Sequence, residues 1–137
     1  MPKFAFSLQR VLDYRRLEER WAEDAFRLAR EAVAEAEGSV DAIRARRQDL
    51  CEYSATSLAV RLDLERCHME LDREEESAQN RLALLTNDES RARDEWRNCR
   101  IAAEALDKLR QSAFEEWTRE EARREQADLD EWAVLRR

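Results

Sequence analysis

The sequence has very few of the residues that make turns. Gly38 and Pro2 are the single glycine and the single proline among 137 residues. β and α/β domains need many tight turns, and glycine, proline and asparagine are the residues that favour them. Phosphate-binding loops and the nucleophile elbow also need several glycines at fixed spacing. The shortage argues against those folds and against nucleotide binding by this chain, and it favours long helices.

Cysteine, histidine and long apolar runs are also scarce. Cys51, Cys67 and Cys99 are an odd number of cysteines without C-x-x-C spacing, which argues against a disulfide framework and a zinc site. His68 and Glu65 form an E-x-x-H pair, but a di-metal site would need a second such pair. We therefore expect no metal and no cofactor, and we interpret His68 as a surface residue beside a helix seam. No apolar run of about 18 residues is present, so no membrane span or signal peptide is expected.

Charged residues, by contrast, make up 42% of the sequence. The net charge is −7, which disfavours nucleic acid as a partner. Almost all the basic residues are arginine, which suits carboxylate pairing and contacts with other proteins. Acidic and basic residues are interleaved as on a solvated helix face, and none of their groupings resembles a catalytic site. We expect a cytoplasmic protein that is not an enzyme.

A 4-3 alternation of apolar residues starts at the beginning of the sequence. Ser7 is a suitable N-cap, and Phe6 and Val11 have the spacing of a hydrophobic staple. Most of the seam positions that follow are apolar, which is typical of a coiled coil. They are Leu8, Leu12, Arg15, Glu19, Ala22, Phe26, Ala29, Val33, Ala36, Val40, Ile43, Arg47 and Leu50.

The best place for the chain to reverse is Tyr53–Ser57, where serine and threonine can cap a second helix. We expect helix 1 at about 7–53, a turn at about 54–57 and helix 2 at about 58–134, all in one coiled-coil domain over 1–137. A chain break at 85–90 would instead give three helices. The helix 2 seam should shift by one residue after Ala78. Its predicted positions are Val60, Leu64, Cys67, Leu71, Glu74, Ala78, Leu82, Leu85, Glu89, Ala92, Trp96, Cys99, Ala103 and Leu106.

A turn near Ser54 predicts the antiparallel register. Residues that face each other should have numbers that add up to about 110, so Ile43 should face Cys67. Beyond about Lys108, helix 2 would then have no partner from helix 1, although it still carries large apolar residues. Such surface usually binds another molecule. The unpaired residues are Leu109, Phe114, Trp117, Leu129 and Trp132.

Two stretches at opposite ends of the sequence resemble the FliJ family of flagellar type III export. The first is FAFSLQRVLDYRR, residues 4–16, followed by Glu18. The second comprises LDKLR at 106–110, Phe114 to Trp117, and RREQADLDE at 123–131. The resemblance implies an all-α fold, a long two-helix antiparallel coiled-coil hairpin similar to the rotor stalk of F- and V-type ATPases.

The resemblance also implies a first partner, the hexameric flagellar export ATPase. In this family the open end of the hairpin engages the central pore of the ATPase ring. The residues here that match that end are Phe4, Phe6, Leu8, Arg10, Val11, Arg15 and Arg16 from helix 1, and Phe114, Trp117, Glu121, Gln126, Leu129 and Asp130 from helix 2. Phe4 and Phe6 would either reach the ATPase or pack within the hairpin.

A second implied partner is the export gate, a membrane protein with a cytoplasmic ring. The family contacts it through a patch early in helix 2 that includes aromatic residues, which this sequence lacks. The matching positions here are Leu64, Cys67, Leu71, Glu74 and Ala78. Export chaperones are possible further partners, and the free chain is expected to be a monomer. The resemblance implies a cytoplasmic protein that associates peripherally with the inner membrane through the export apparatus.

Two other interpretations fit the same pattern. One is the equivalent stalk of a virulence type III secretion system. The other is a generic coiled-coil scaffold or homodimer, in which the seams join two chains.

Overall fold

The computed structural model describes residues 2–137 and contains two long helices. Helix α1 spans Gln9–Cys51 and helix α2 spans Leu58–Leu135. The two helices pack against each other, and no strand is present in residues 2–137. The predicted all-α helical hairpin is therefore confirmed. Helix α2 continues without a break through residues 85–90, so the three-helix alternative is not observed.

The start of each helix is set by local hydrogen bonds. In α1 the first bond of α-helical spacing runs from the Leu12 N–H to the Leu8 carbonyl, so Leu8 is the N-cap. The prediction that Ser7 would be the N-cap was wrong by one residue. In α2, Ser57 is the N-cap, because the Arg61 N–H donates to its carbonyl and the Val60 N–H donates to its hydroxyl oxygen at 3.3 Å.

Contacts within the chain group into two units. One unit combines residues 2–21 with Arg97–Arg137, and the other is Ala22–Trp96. Each unit contains a segment of α1 and an antiparallel segment of α2. The expectation of one coiled-coil domain over residues 1–137 stays a prediction.

The seam of α1 follows the predicted heptad positions. Leu12 is completely buried, and Arg15 and Leu8 are the seam residues that remain exposed. Much of the seam consists of alanine and valine, which allow two helices to approach closely but offer little shape to interlock. The buried members are Leu12, Ala22, Val33, Ala36, Val40 and Ile43.

The seam of α2 differs from the predicted one in its first part. His68 and Glu75 are half-buried, whereas Cys67 and Glu74 are exposed. The interpretation of His68 as a residue outside the seam was therefore wrong. With these two residues, the 4-3 spacing runs from Leu64 to Trp117 without the predicted one-residue shift. The seam positions are Leu64, His68, Leu71, Glu75, Ala78, Leu82, Leu85, Glu89, Ala92, Trp96, Cys99, Ala103, Leu106, Arg110, Ala113 and Trp117.

The antiparallel register also differs from the predicted one. Within each unit, contacting pairs such as Arg47 with Glu75 and Arg16 with Asp107 have numbers that add up to about 120 rather than 110. Ile43 therefore does not face Cys67. The cause lies at the turn, because the first ten or so residues of α2 come before the part of α2 that packs against α1. Leu58 in this leading segment is 73% exposed.

Charged residues occupy the seam of the second unit where apolar residues are missing. Glu75 is only 14% exposed, and its carboxylate forms ion pairs with Arg47 and Arg44. The distance from the Arg44 Nε to the carboxylate is 3.3 Å. Arg47 also reaches the Asp72 carboxylate at 2.7 Å. The hydrogen bond from Arg47 lowers the pKa of Glu75, and Arg44 adds to that effect. A half-buried carboxylate is tolerated here because two guanidinium groups neutralise it.

Phe26 is the largest apolar side chain on the α1 seam of the same unit. Its ring stacks on Trp96 at 5.7 Å between centroids, with 10° between the ring planes. The guanidinium groups of Arg30 and Arg93 each lie 5.7 Å from the ring centroid. This arrangement adds aromatic and cation–π contacts to the burial of the ring.

We expect Phe26→Ala to lower the free energy of unfolding by about 2 to 4 kcal/mol, because it removes this half-buried ring with its contacts to Trp96 and leaves a gap on the seam. Urea denaturation followed by circular dichroism measures the change. Leu28→Ala is the matched control, since Leu28 is 62% exposed on the same helix, and it should shift the value by less than about 0.5 kcal/mol. An equal effect of the two substitutions would contradict the packing of Phe26.

Glu75 should make stability depend on acid pH. Because its pKa is lowered in the folded state, its ionised form stabilises the fold fully above the unfolded pKa of about 4.3, and this contribution is lost as the pH falls through the folded pKa. Glu75→Gln should lower Tm at neutral pH, and its difference from wild type should shrink between about pH 6 and pH 3. The exposed Glu76→Gln is the control and should follow the wild-type curve. A constant difference across that range would contradict the role of the Glu75 charge.

Candidate partner-binding site

An aromatic cluster in the first unit joins the segment before α1 to the distal part of α2. The Phe4 ring meets Phe114 edge-on at 5.2 Å between centroids and Trp117 at 5.9 Å. Phe114 and Trp117 lie one helical turn apart and stack at 6.0 Å. Of the two alternatives for Phe4, the structure shows packing within the chain. The cluster still presents a surface, because Phe114 remains exposed.

Polar contacts fix the same pairing. The Arg110 guanidinium lies 5.5 Å from the Phe4 ring centroid, and its Nε donates to the Gln9 side-chain oxygen at 3.0 Å. Arg16, about two turns after Gln9 on α1, forms an ion pair with Asp107. The expectation that α2 has no partner beyond about Lys108 was therefore wrong. Pairing continues through Trp117, because the register is shifted from the predicted one.

The helix 1 residues assigned to the ATPase-binding end have different environments. Phe6 is half-buried, and its carbonyl accepts a hydrogen bond from the Gln9 N–H. Arg15 pairs with Glu18 at 3.0 Å. The remaining assigned residues have side chains exposed to solvent, and they are Leu8, Arg10, Val11 and Arg16.

Residues 122–137, which we call the distal segment, extend α2 past the aromatic cluster. Glu121 is the last half-buried residue of α2, and every residue of the distal segment is exposed. Leu129 and Trp132 are 60% and 56% exposed, one turn apart on one side of the helix. Gln126 donates to the Asp130 carboxylate at 2.9 Å on another side. The predicted site residues thus divide between a packed cluster and an exposed helix.

Three of the five residues assigned to the gate patch line one groove. These three, Cys67, Leu71 and Glu74, line a shallow groove of about 300 Å³ together with Leu50 near the end of α1 and Tyr53 just after it. Leu71 is nearly buried at its floor, whereas Cys67 and Glu74 are exposed at its edge. Leu64 and Ala78 are half-buried seam residues that do not line this groove.

Residues 2–137 contain no cluster of three or more histidine, cysteine, aspartate or glutamate side chains suited to a metal ion. In the same part of the chain, neither helix has a stretch that is both long and apolar enough to cross a membrane.

The Tyr14 hydroxyl forms a hydrogen bond with Glu18, and this bond raises the pKa of Tyr14. The arrangement offers exposed apolar and charged side chains on stiff helices, which can bind other proteins.

Sequence reasoning missed Gln9 and Arg110 as parts of this region, and it named Trp132 as an unpaired apolar residue without assigning it to the ATPase-binding end. Arg110 lies within the LDKLR stretch, but the predicted register placed it beyond any partner, so its contact with Gln9 could not be foreseen. Trp132 follows Leu129 by one helical turn, and that spacing was the available signal for a shared face.

A comparison with curated proteins and with solved structures gives no match. In a comparison with protein families, the family described as Flagellar FliJ protein matches residues 4–136. The match includes both ends of the sequence, where the aromatic cluster and the distal segment lie. Members of this family are non-catalytic components of the flagellar export apparatus. With nearly its whole length matched, the chain belongs to the FliJ family.

Proposed function

We propose that this protein is the non-catalytic stalk of the flagellar type III export apparatus. It binds the export ATPase ring through the aromatic cluster and the distal segment, and it links that ring to the export gate. It resides in the cytoplasm and reaches the inner membrane through these partners. The observation that supports this proposal most strongly is the family match, which extends through a helical segment whose residues are all exposed and include large apolar side chains.

The two parts of the ATPase-binding end have separate tasks in this proposal. The aromatic cluster packs the segment before α1 against α2 and fixes the part of α2 from which the distal segment extends. It consists of Phe4, Phe114 and Trp117. Leu129, with Gln126 and Asp130 beside it, presents apolar and hydrogen-bonding groups to the pore. Burial of large apolar side chains at the centre of an interface provides most of its binding energy.

Binding to a ring explains how a protein without catalytic groups can raise the activity of an enzyme. A ligand that binds the assembled hexamer, and not the separate subunit, shifts the equilibrium towards the hexamer by mass action. Hydrolysis at subunit interfaces then increases with the population of closed rings. The stalk therefore acts through assembly rather than through chemistry.

The groove beside Cys67, Leu71 and Glu74 is the proposed contact with the cytoplasmic part of the gate. It combines a nearly buried leucine with exposed charged and polar residues at its edge, as protein-binding grooves do. Tyr53, two residues after α1, supplies an exposed aromatic ring, which this family otherwise carries within the patch on helix 2.

Deleting the distal segment tests the ATPase contact. We expect a variant that ends at Glu121 to lose most of the stimulation of ATP hydrolysis by the cognate export ATPase. Its Tm should stay close to wild type, because every residue removed is exposed. The assay measures phosphate release against added stalk, and circular dichroism measures Tm.

The controls for this test remove apolar surface elsewhere. Leu84→Ala and Ile101→Ala each shorten an exposed apolar side chain outside the proposed site and should keep full stimulation. Trp117→Ala is unsuitable as a probe of binding alone, because it also removes the contact with Phe4. Full stimulation by the shortened variant would contradict the role of the distal segment. Absence of stimulation by the intact chain would contradict the proposed function.

A charged substitution in the groove tests the gate contact. Cys67→Arg should weaken binding to the purified cytoplasmic domain of the gate by about tenfold or more, because it places a bulky cation at the groove edge. Met69→Arg is the matched control, since Met69 is also exposed, lies two residues after Cys67 on α2 and does not line the groove. Titration calorimetry gives both affinities. Equal binding by the two variants would exclude this groove as the contact.

A further inference from the structure

One face of the distal segment carries an acidic residue at one end, a basic residue at the other and two apolar residues between them. Two copies of this face are therefore complementary when they lie antiparallel. Glu125, Leu129 and Trp132 follow each other at spacings of four and three residues, so they share one face of α2. Arg136 comes directly after the last residue of α2 and keeps the helical spacing, because its N–H donates to the Trp132 carbonyl at 3.3 Å. Glu125, Leu129 and Trp132 line a shallow depression together with Asp128. The Arg136 guanidinium lies over the Trp132 ring at 4.2 Å from its centroid, which places it on the same face.

We propose that this face binds the same face of a second copy of the chain, with the two distal segments antiparallel. A twofold axis beside residues 130 and 131 would bring Glu125 of each copy opposite Arg136 of the other. The same axis would bring Leu129 opposite Trp132 on both sides. Two apolar contacts are then flanked by two ion pairs, as in the seam of an antiparallel coiled coil.

Charge complementarity selects this arrangement over the others. In a parallel pair, Glu125 would face Glu125 and Arg136 would face Arg136, which is unfavourable at both ends. Asp128 also lines the depression, and the axis places the uncharged Ala133 of the other copy opposite it. Asp130 and Glu131 lie on the far side of the helix by heptad position and do not meet across the interface. The other faces of the segment carry only one large apolar residue each, Val134 or Leu135.

The size of the interface makes the association weak and reversible. Four side chains from each copy cover far less than the roughly 1,200 Å² that a stable complex buries. The seam residues of α1 and α2 are already paired within one chain, so they do not add to this interface. If the distal segment is also the ATPase-binding surface, as proposed above, self-association would cover Leu129 until the ATPase displaces the second copy.

Reversal of charge at the two ends of the face provides the test. Sedimentation velocity on the full chain, from low micromolar to about 300 µM, should show a concentration-dependent rise towards the dimer mass at low salt. Glu125→Arg and Arg136→Glu, each alone, should weaken the association about tenfold or more, since each replaces two attractive pairs with two repulsive ones. The double variant with both changes should regain the wild-type affinity within about threefold.

Glu131→Arg is the matched control, because it makes the same charge change on the far side of the same segment and should leave the association unchanged. A chain that stays monomeric throughout the range would overturn the inference. So would single variants that associate as wild type does, or a double variant that fails to recover. Because no ATPase is present in this experiment, its failure leaves the stalk function untouched, and a failure of ATPase stimulation leaves the self-association untouched.

Discussion

The ion pair between Arg47 and Glu75 is the contact that best explains why the two helices meet in one register. A seam rich in alanine can slide by a heptad with little loss of packing, because small side chains offer few shapes to interlock. A half-buried carboxylate resists such a shift, because away from its guanidinium partners its desolvation penalty would not be offset. Arg47 and Arg44 satisfy Glu75 in one alignment. A shift of seven residues along α1 would replace them by Val40 and Glu37 in one direction, or by Ser54 and Cys51 in the other, and none of these residues is a cation. A polar pair at a seam position thus sets register where apolar packing does not.

The sequence predicted the helices well and their register poorly, for reasons visible at particular residues. The 4-3 repeat and the serine at Ser57 were enough to predict a helical hairpin, because both are local signals. Cys67 was preferred to His68 for the seam because cysteine is more apolar than histidine. The sequence alone gave no reason to prefer Glu75 to its neighbour Glu74. Only the positions of Arg44 and Arg47 across the seam distinguish Glu75 from Glu74. The register error came from assuming a tight turn at Ser54, whereas α2 begins well before its first partner.

The same shift in register explains what could be predicted about the candidate site. The resemblance at the two ends of the sequence gave the residues, because those motifs are read from residue identity alone. It could not say which of them pack together. With pairing shifted along α2, Trp117 and Phe114 fall beside Phe4, and the exposed part of the helix starts after Glu121 rather than near Lys108. Aromatic residues that appeared available to a partner therefore stabilise the fold as well.

Two packed helices bury apolar side chains only along their seam. A large apolar side chain outside the seam is therefore exposed and available to bind another molecule. Phe26 and Phe4 are engaged within their own units, the first with Trp96 and the second with Phe114 and Trp117. Leu129 and Trp132 have no such partner on α1, because residues 122–137 lie past the last paired position. Their exposure is costly in water and is offset only when another surface covers them. Because Leu129 and Trp132 lie on one narrow helix face, two partners that both use this face must compete for it. Occupancy of the distal segment then depends on the concentrations and affinities of its partners, which couples the state of the free protein to the assembly it joins.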